Sequence, residues 1–309
     1  MPRILRKLAI LHKIETAYGQ APTPAPAAAD AIIGKNVSFT PIEAEEVPRE
    51  LLLPYMGNQG VILTGKHAKL EFDVELAGAG AAGTAPKWAS LMRACGFAET
   101  LQASTSATYS IVESNVSSST IYFEVDGVRH VLLGCRGTLS ISIAPKSIPS
   151  LRFAMTGLLG TITDQVATPV TMTGWQTPVD ASSANTTMSL HGWASVAESL
   201  TIDLGNTVTP RFLIGSESVI IPDRKVTGQA VVEATSLATI NWFQRALDRT
   251  RGVLSLVHGT VAGNIVEINA PSVEIGKVTQ GQTDGILNYS LPLSFVPVSG
   301  RDELSIVVK

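Results

Sequence analysis

The chain has 309 residues, of which 45% are hydrophobic and only 16% charged, with a net charge of −3. That length suggests about two domains with ample core, and the lack of basic excess excludes a tightly clamping nucleic-acid binder. The charged share is well below the about 25% of an ordinary soluble domain, which favours a surface covered by neighbouring copies over an Ala/Ser/Thr-rich monomer.

In chain order, Arg3, Arg6 and Lys7 precede a short apolar run, Leu8-Ala9-Ile10-Leu11. It falls short of the about 7–15 residues of a secretory signal, and nothing reaches the length of a transmembrane span. Residues 1–30 read as an arm, with Pro22, Pro24 and Pro26 as a stiff spacer. A strand over 32–47 turns polar at Glu43, Glu45 and Glu46 and runs into PRELLLPYMGNQG at 48–60. With Leu51, Leu52, Leu53, Tyr55 and Met56, that loop is too apolar to hang in water. It is either tucked under its own domain or inserted into a partner.

Residues 61–76 are the most legible strand. Leu70, Phe72, Val74 and Leu76 point one way and Glu71, Asp73 and Glu75 the other, giving a core face and an acidic, wet face. Gly78-Ala79-Gly80-Ala81-Ala82-Gly83 follows and matches GxGxxG. The strand before it is half-exposed and the helix starts after the glycines, so a flexible connector is preferred to a phosphate cradle. A helix is expected over 86–95, with Thr84 as cap, Pro86 in the first turn and Gly96 ending it. Asp126-Gly127 sets a type I′ turn in a hairpin over 120–134. Strands follow at 138–143 and 151–155, and 157–190 is rich in Thr, Ser, Pro and Gly.

The second half reads as a strand at 200–204, a loop at 205–218, a long strand at 219–234 and a helix at 237–251. Strands near 253–257, 265–268, 272–278, 286–296 and 304–308 complete it. This repeats the earlier plan. Glu75 and Glu233 lie 158 positions apart, Trp88 and Trp242 154, Pro48-Arg49 and Pro210-Arg211 162. A repeated β-rich unit suggests a pseudo-symmetric building block.

Chemistry-bearing constellations are sparse. His12, His67, His130, His191 and His258 lack metal-ligand spacing, Cys95 and Cys135 cannot frame a zinc site, and no GxSxG occurs. His130 reads as a surface strand residue. No enzymatic activity, metal or cofactor is expected. The one patterned charge set is Glu71, Asp73 and Glu75, with Gln229 and Glu233 in the matching strand. Two readings stand: a solvated sheet face, or the wall of an aqueous channel that repels a passing polyanion.

The opening Met1-Pro2-Arg3-Ile4-Leu5-Arg6-Lys7, with Ile14-Glu15-Thr16-Ala17-Tyr18-Gly19, resembles the start of bacteriophage major tail tube proteins. So do Asn36-Val37-Ser38-Phe39-Thr40-Pro41 before Pro48-Arg49, Thr64-Gly65-Lys66, and Leu91-Met92-Arg93-Ala94-Cys95-Gly96-Phe97. Asp126-Gly127 before Gly134-Cys135-Arg136-Gly137-Thr138, and Leu291-Pro292-Leu293-Ser294-Phe295-Val296-Pro297, extend the pattern over nearly the whole chain.

The resemblance implies a mostly β (α+β) chain with two tandem β-sandwich or barrel domains, at 31–165 and 191–309, each with one flanking α-helix, and a junction at 166–190. It implies homotrimeric rings of pseudo-sixfold symmetry, stacked into the tube that carries DNA to the host. By the same analogy a long early loop contacts the next ring, which places Glu46, Arg49, Leu51, Leu52, Leu53, Tyr55 and Met56 at the stacking surface. Glu71, Asp73, Glu75, Gln229 and Glu233 would line the lumen, and the N-terminal arm and C-terminal strand would reach neighbouring subunits. Implied partners are further copies of the chain, a tape measure protein and a tail terminator, with DNA only in transit and no membrane. The site of action would be the virion tail, assembled in the host bacterial cytoplasm. Three alternatives remain open: the tube of a contractile tail or secretion system, a soluble ligand-binding β-sandwich, and a nucleotide-using enzyme built on the glycine-rich turn.

Overall fold

The computed structural model describes residues 3–4 and 6–309; Met1, Pro2 and Leu5 of the N-terminal motif lie outside the described residues. The first half runs β1 (Leu8–Ile14), β2 (Ala31–Ile32), β3 (Lys35–Pro48), β4 (Val61–Glu75), α1 (Ala89–Ala94), β5 (Phe97–Gln102), β6 (Ser106–Ile111), β7 (Ser119–Val125), β8 (Val128–Ile143) and β9 (Ser150–Asp164). The second runs β10 (Thr186–Leu190), β11 (Trp193–Ala194), β12 (Ala197–Asp203), β13 (Asn206–Leu213), β14 (Ser216–Arg224), β15 (Thr227–Glu233), α2 (Trp242–Leu247), β16 (Arg251–His258), β17 (Val266–Ile275), β18 (Thr279–Thr283), β19 (Ile286–Phe295) and β20 (Ser305–Val308). The chain is therefore mostly β, with two short α-helices. Its strands form an 18-stranded antiparallel sheet and a separate two-stranded one, β13–β14.

The large sheet has a spine of eight strands in the order β3-β4-β9-β8-β12-β15-β19-β18. Among the described residues both ends of the spine are unpaired, and the sheet branches without closing on itself. The first half of β8 carries β7, then β1 and β2. β17 also pairs with β19 and holds β16-β10-β11 on one side and β20-β6-β5 on the other.

Alternation decides which face of the spine is dry. Leu70, Phe72 and Val74 of β4 face inward, as do Phe153 of β9, Ile141 of β8, Ile202 of β12, Val232 of β15 and Leu291 of β19, all buried. Against them the branch strands and helices set Phe123, Tyr109, Leu256, Ile306, Trp88 and Trp242, and all belong to one core cluster spanning both halves. Each such side chain contributes roughly 1.5–3 kcal/mol by leaving water.

The β7–β8 turn has the expected form, with φ of 36° at Asp126 and 88° at Gly127, the sign a type I′ turn demands. Other elements differ from expectation. α1 is six residues long, starts after Trp88 without a side-chain cap, and ends before Gly96. α2 is equally short and starts at Trp242, where Asn241 accepts the Gln244 N–H at 2.9 Å. The segment 205–218 is a hairpin rather than a loop, and the long strand breaks between Arg224 and Thr227. β9 runs to Asp164, well into the stretch expected to start the polar junction.

Residues 8–14, within the expected arm, pair along their whole length with β7 of the same chain, because Ile10 and Leu11 are both buried. The C-terminal strand likewise inserts between β6 and β17 of its own chain.

Candidate functional site

The spine face opposite the core is open and short-chained. One cross-strand row reads Asp73–Arg152–Ser140–Asp203–Thr227–Ser294, and the next reads Glu75–Ser150–Ser142–Thr201–Gln229–Pro292. All five residues expected on a patterned face, Glu71, Asp73, Glu75, Gln229 and Glu233, therefore lie on one side of a single continuous sheet, because β4 and β15 keep their apolar positions on the other side.

The charge on that face is more mixed than the sequence suggests. The Arg152 guanidinium donates to Glu71 at 2.6 Å and to Asp73 at 3.0 Å, and Lys35 reaches Glu75 at 3.2 Å. The hydrogen bond to Glu71, then that to Asp73, makes Arg152 hold its proton more tightly than usual. These pairs are partly exposed and each is worth about 0–1 kcal/mol. Arg152 comes from β9 and Lys35 from β3, so only strand pairing reveals them as partners of β4. The acidic, wet face expected of β4 is thus a hydroxyl-rich face whose three carboxylates each have a basic partner. Sequence reasoning missed Ser140, Ser142, Thr201 and Ser290, whose alternation with buried Ile and Leu was the available signal.

The second feature is a projecting hairpin. β3 and β4 continue pairing out to Pro48 opposite Val61. The intervening loop is closed by Arg49 N–H donating to Gly60 O at 3.1 Å and by the Gln59 amide donating to Leu51 O at 2.6 Å. Leu52 and Met56 are 104% and 100% exposed, and Glu46, Arg49, Leu51, Leu53 and Tyr55 are exposed as well. The loop is not tucked under its own chain. At the hairpin base Lys69 donates to Glu43 at 2.7 Å, and that bond holds the Glu43 carboxyl below its usual range.

The hairpin β13–β14 in the second half behaves differently. It folds back onto the first half, where Arg136 donates to Val219 O at 2.8 Å and the Tyr18 hydroxyl accepts the Val219 N–H. Phe212 lies beside Gly65 and His67.

The glycine-rich turn has a structural role. Gly80 N–H donates to Gly263 O at 2.9 Å, and a Cβ on Gly78 would lie 2.2 Å from that same oxygen. The glycines let the two halves approach backbone to backbone, and α1 begins only at Ala89. The turn is thus a packed contact rather than a flexible connector. His130 is half-buried, with its ring 4.9 Å from that of Phe39, not a surface residue. Cys95 and Cys135 are free and buried, and burial raises both thiol pKa values. Among the described residues no group of three or more His, Cys, Asp or Glu is placed to hold a metal ion. No helix among them is long and apolar enough to cross a membrane.

The family model described as Phage tail tube protein matches residues 6–295. No curated protein matches the chain.

Proposed function

The chain belongs to the phage tail tube protein family, and from that premise we propose how this structural virion protein builds its tube. Copies associate side by side into rings, with three chains and pseudo-sixfold symmetry, and the rings stack. The hydroxyl-rich face of the spine lines the bore, and DNA passes over it on the way to the host. The observation that carries this reading is the eight-stranded spine itself: one face is buried, the other is open and polar, and both edges lack a partner. A lone soluble subunit gains nothing from two bare edges, which invite association.

Within this reading the two halves are tandem versions of one tube domain. Each supplies a hairpin, a short helix and a later strand returning to the hairpin's second arm: β9 to β4 and β19 to β15. The projecting loop at 49–60 reaches the next ring, where Leu52 and Met56 find the cover they lack in the subunit. Tape measure and terminator proteins meet the tube at its ends, assembly takes place in the host cytoplasm, and the protein performs no catalysis. Negative-stain microscopy of purified protein tests the reading. Rings or tubes are expected; a population that stays monomeric at high concentration overturns it.

A further inference from the structure

The spine contains a template for its own continuation. Placing Glu75 on Glu233 superposes the pairings of the two halves. On β3, Ser38 opposite Glu71 falls on Thr201 of β12 opposite Gln229. On β9, Ser150 falls on Asn288 of β19. On β8, Ser142 opposite Ser150 falls on Gly281 of β18 opposite Asn288, and Ser140 falls on Thr279. The spine is thus two four-stranded blocks, β3-β4-β9-β8 and β12-β15-β19-β18, joined where β8 meets β12. That joint is antiparallel and four residues long: Ser140–Asp203, Ile141–Ile202, Ser142–Thr201 and Ile143–Leu200.

We infer that β18 of one copy pairs antiparallel with β3 of a second copy in the register of that internal joint: Thr279 opposite Thr40, Gln280 opposite Phe39, Gly281 opposite Ser38 and Gln282 opposite Val37. The inference rests on the tube reading above and names the strands and register of its lateral contact. Four observations agree with it. All five residues of β18 are exposed and pair on one side only. Val37 and Phe39 pack on the core yet stay half-open, whereas Leu200 and Ile202, their counterparts at the internal joint, are buried. Pro41, which has no N–H to donate, ends the available edge just past Thr40, as β12 ends at Asp203. With eight alternating strands, β18 meets the next β3 in antiparallel sense, so the sheet continues without a change of direction. A head-to-tail contact of this kind closes into a ring when its rotation permits.

The test is disulfide trapping. Within one chain, β3 and β18 sit at opposite edges of the spine, about 34 Å apart at about 4.8 Å per strand, so no bond can form inside a subunit. Thr40→Cys combined with Thr279→Cys should, on mild oxidation of assembled protein, convert most chains to covalent oligomers on a non-reducing gel. The slipped pair Ser38→Cys with Thr279→Cys displaces one partner by two residues and should cross-link about tenfold less. Rings that form with no cross-link, or with equal cross-linking of the slipped pair, overturn the register while leaving the tube reading standing. Absence of rings in the unsubstituted protein overturns the tube reading and the pairing with it. If the substituted protein fails to assemble, hydrogen exchange on the unsubstituted protein decides. The amides of 279–283 that point away from β19 should exchange freely in dispersed subunits and about a hundredfold more slowly in tubes; equal rates overturn the pairing.

Discussion

Glu15 lies buried just past the end of β1, with four donors around its carboxylate: the hydroxyls of Ser118 and Thr120 at 2.6 and 2.8 Å, and the N–H groups of Gly19 and Gly134 at 2.9 and 2.8 Å. The N-terminal segment is thereby tied to the β7–β8 hairpin, since breaking the set would leave several polar groups unsatisfied. His12, three residues earlier, is also buried. Its Nδ1 meets Ser90 Oγ at 3.0 Å and its Nε2 has no partner among the described residues. Burial lowers its pKa to about 3. Unfolded, the imidazole takes a proton near the ordinary value of about 6.5. Between those values the unfolded chain binds the extra proton, so stability falls as pH drops, by up to about 1.4 kcal/mol per pH unit. His191 and His258 are depressed by burial too and push the same way. Urea unfolding of dispersed subunits should show lower stability at pH 5 than at pH 7, with a shallower difference in His12→Gln; equal slopes would contradict this assignment. No sequence signal marked either residue, because an isolated His or Glu in a strand looks alike whether wet or dry.

Among the elements, β4 and the Asp126-Gly127 hairpin were legible because local rules decide them, namely strict alternation and a turn requiring positive φ. β5 and β6 were missed, since Ser106, Thr108 and Ser110 resemble a polar loop until β20 is seen to pair with them. The helices were placed correctly but drawn too long, as both stop after six residues. The apolar loop at 48–60 was legible as unusual, and its exposure follows from the length of the β3–β4 hairpin that carries it. Leu52→Ser with Met56→Ser should change subunit stability by less than about 0.5 kcal/mol, since both side chains are already in water. The same variant should yield isolated rings in place of tubes by microscopy. Normal tubes would remove the loop from the stacking contact.

For the whole molecule, the low charge agrees with membership of a tail tube family, and the repeated lettering pointed to the stretches that build the spine. The joint between β8 and β12 was not legible, because it links residues about sixty positions apart through hydroxyl-bearing strands with no distinctive side chain. In the proposed ring, three copies of an eight-stranded spine would give a circumference of about 115 Å and a bore of about 37 Å between backbones, which strand tilt widens. Lysines at Glu71, Asp73 and Glu75 would crowd Arg152 and Lys35 and confuse folding with transport. Ser142→Lys, Thr201→Lys and Gln229→Lys place cations on one exposed row instead. Tubes should form normally and DNA exit should slow by about tenfold, with recovery at high salt. An unchanged exit rate would remove this face from the bore. The single core that runs through both halves has a mechanical corollary. With a hydrogen-bonded seam and a shared interior, the two halves are expected to move as one stiff body. In the proposed stack, a filament then bends by adjusting the joints between such discs, which places its compliance in the dozen residues of the protruding loop.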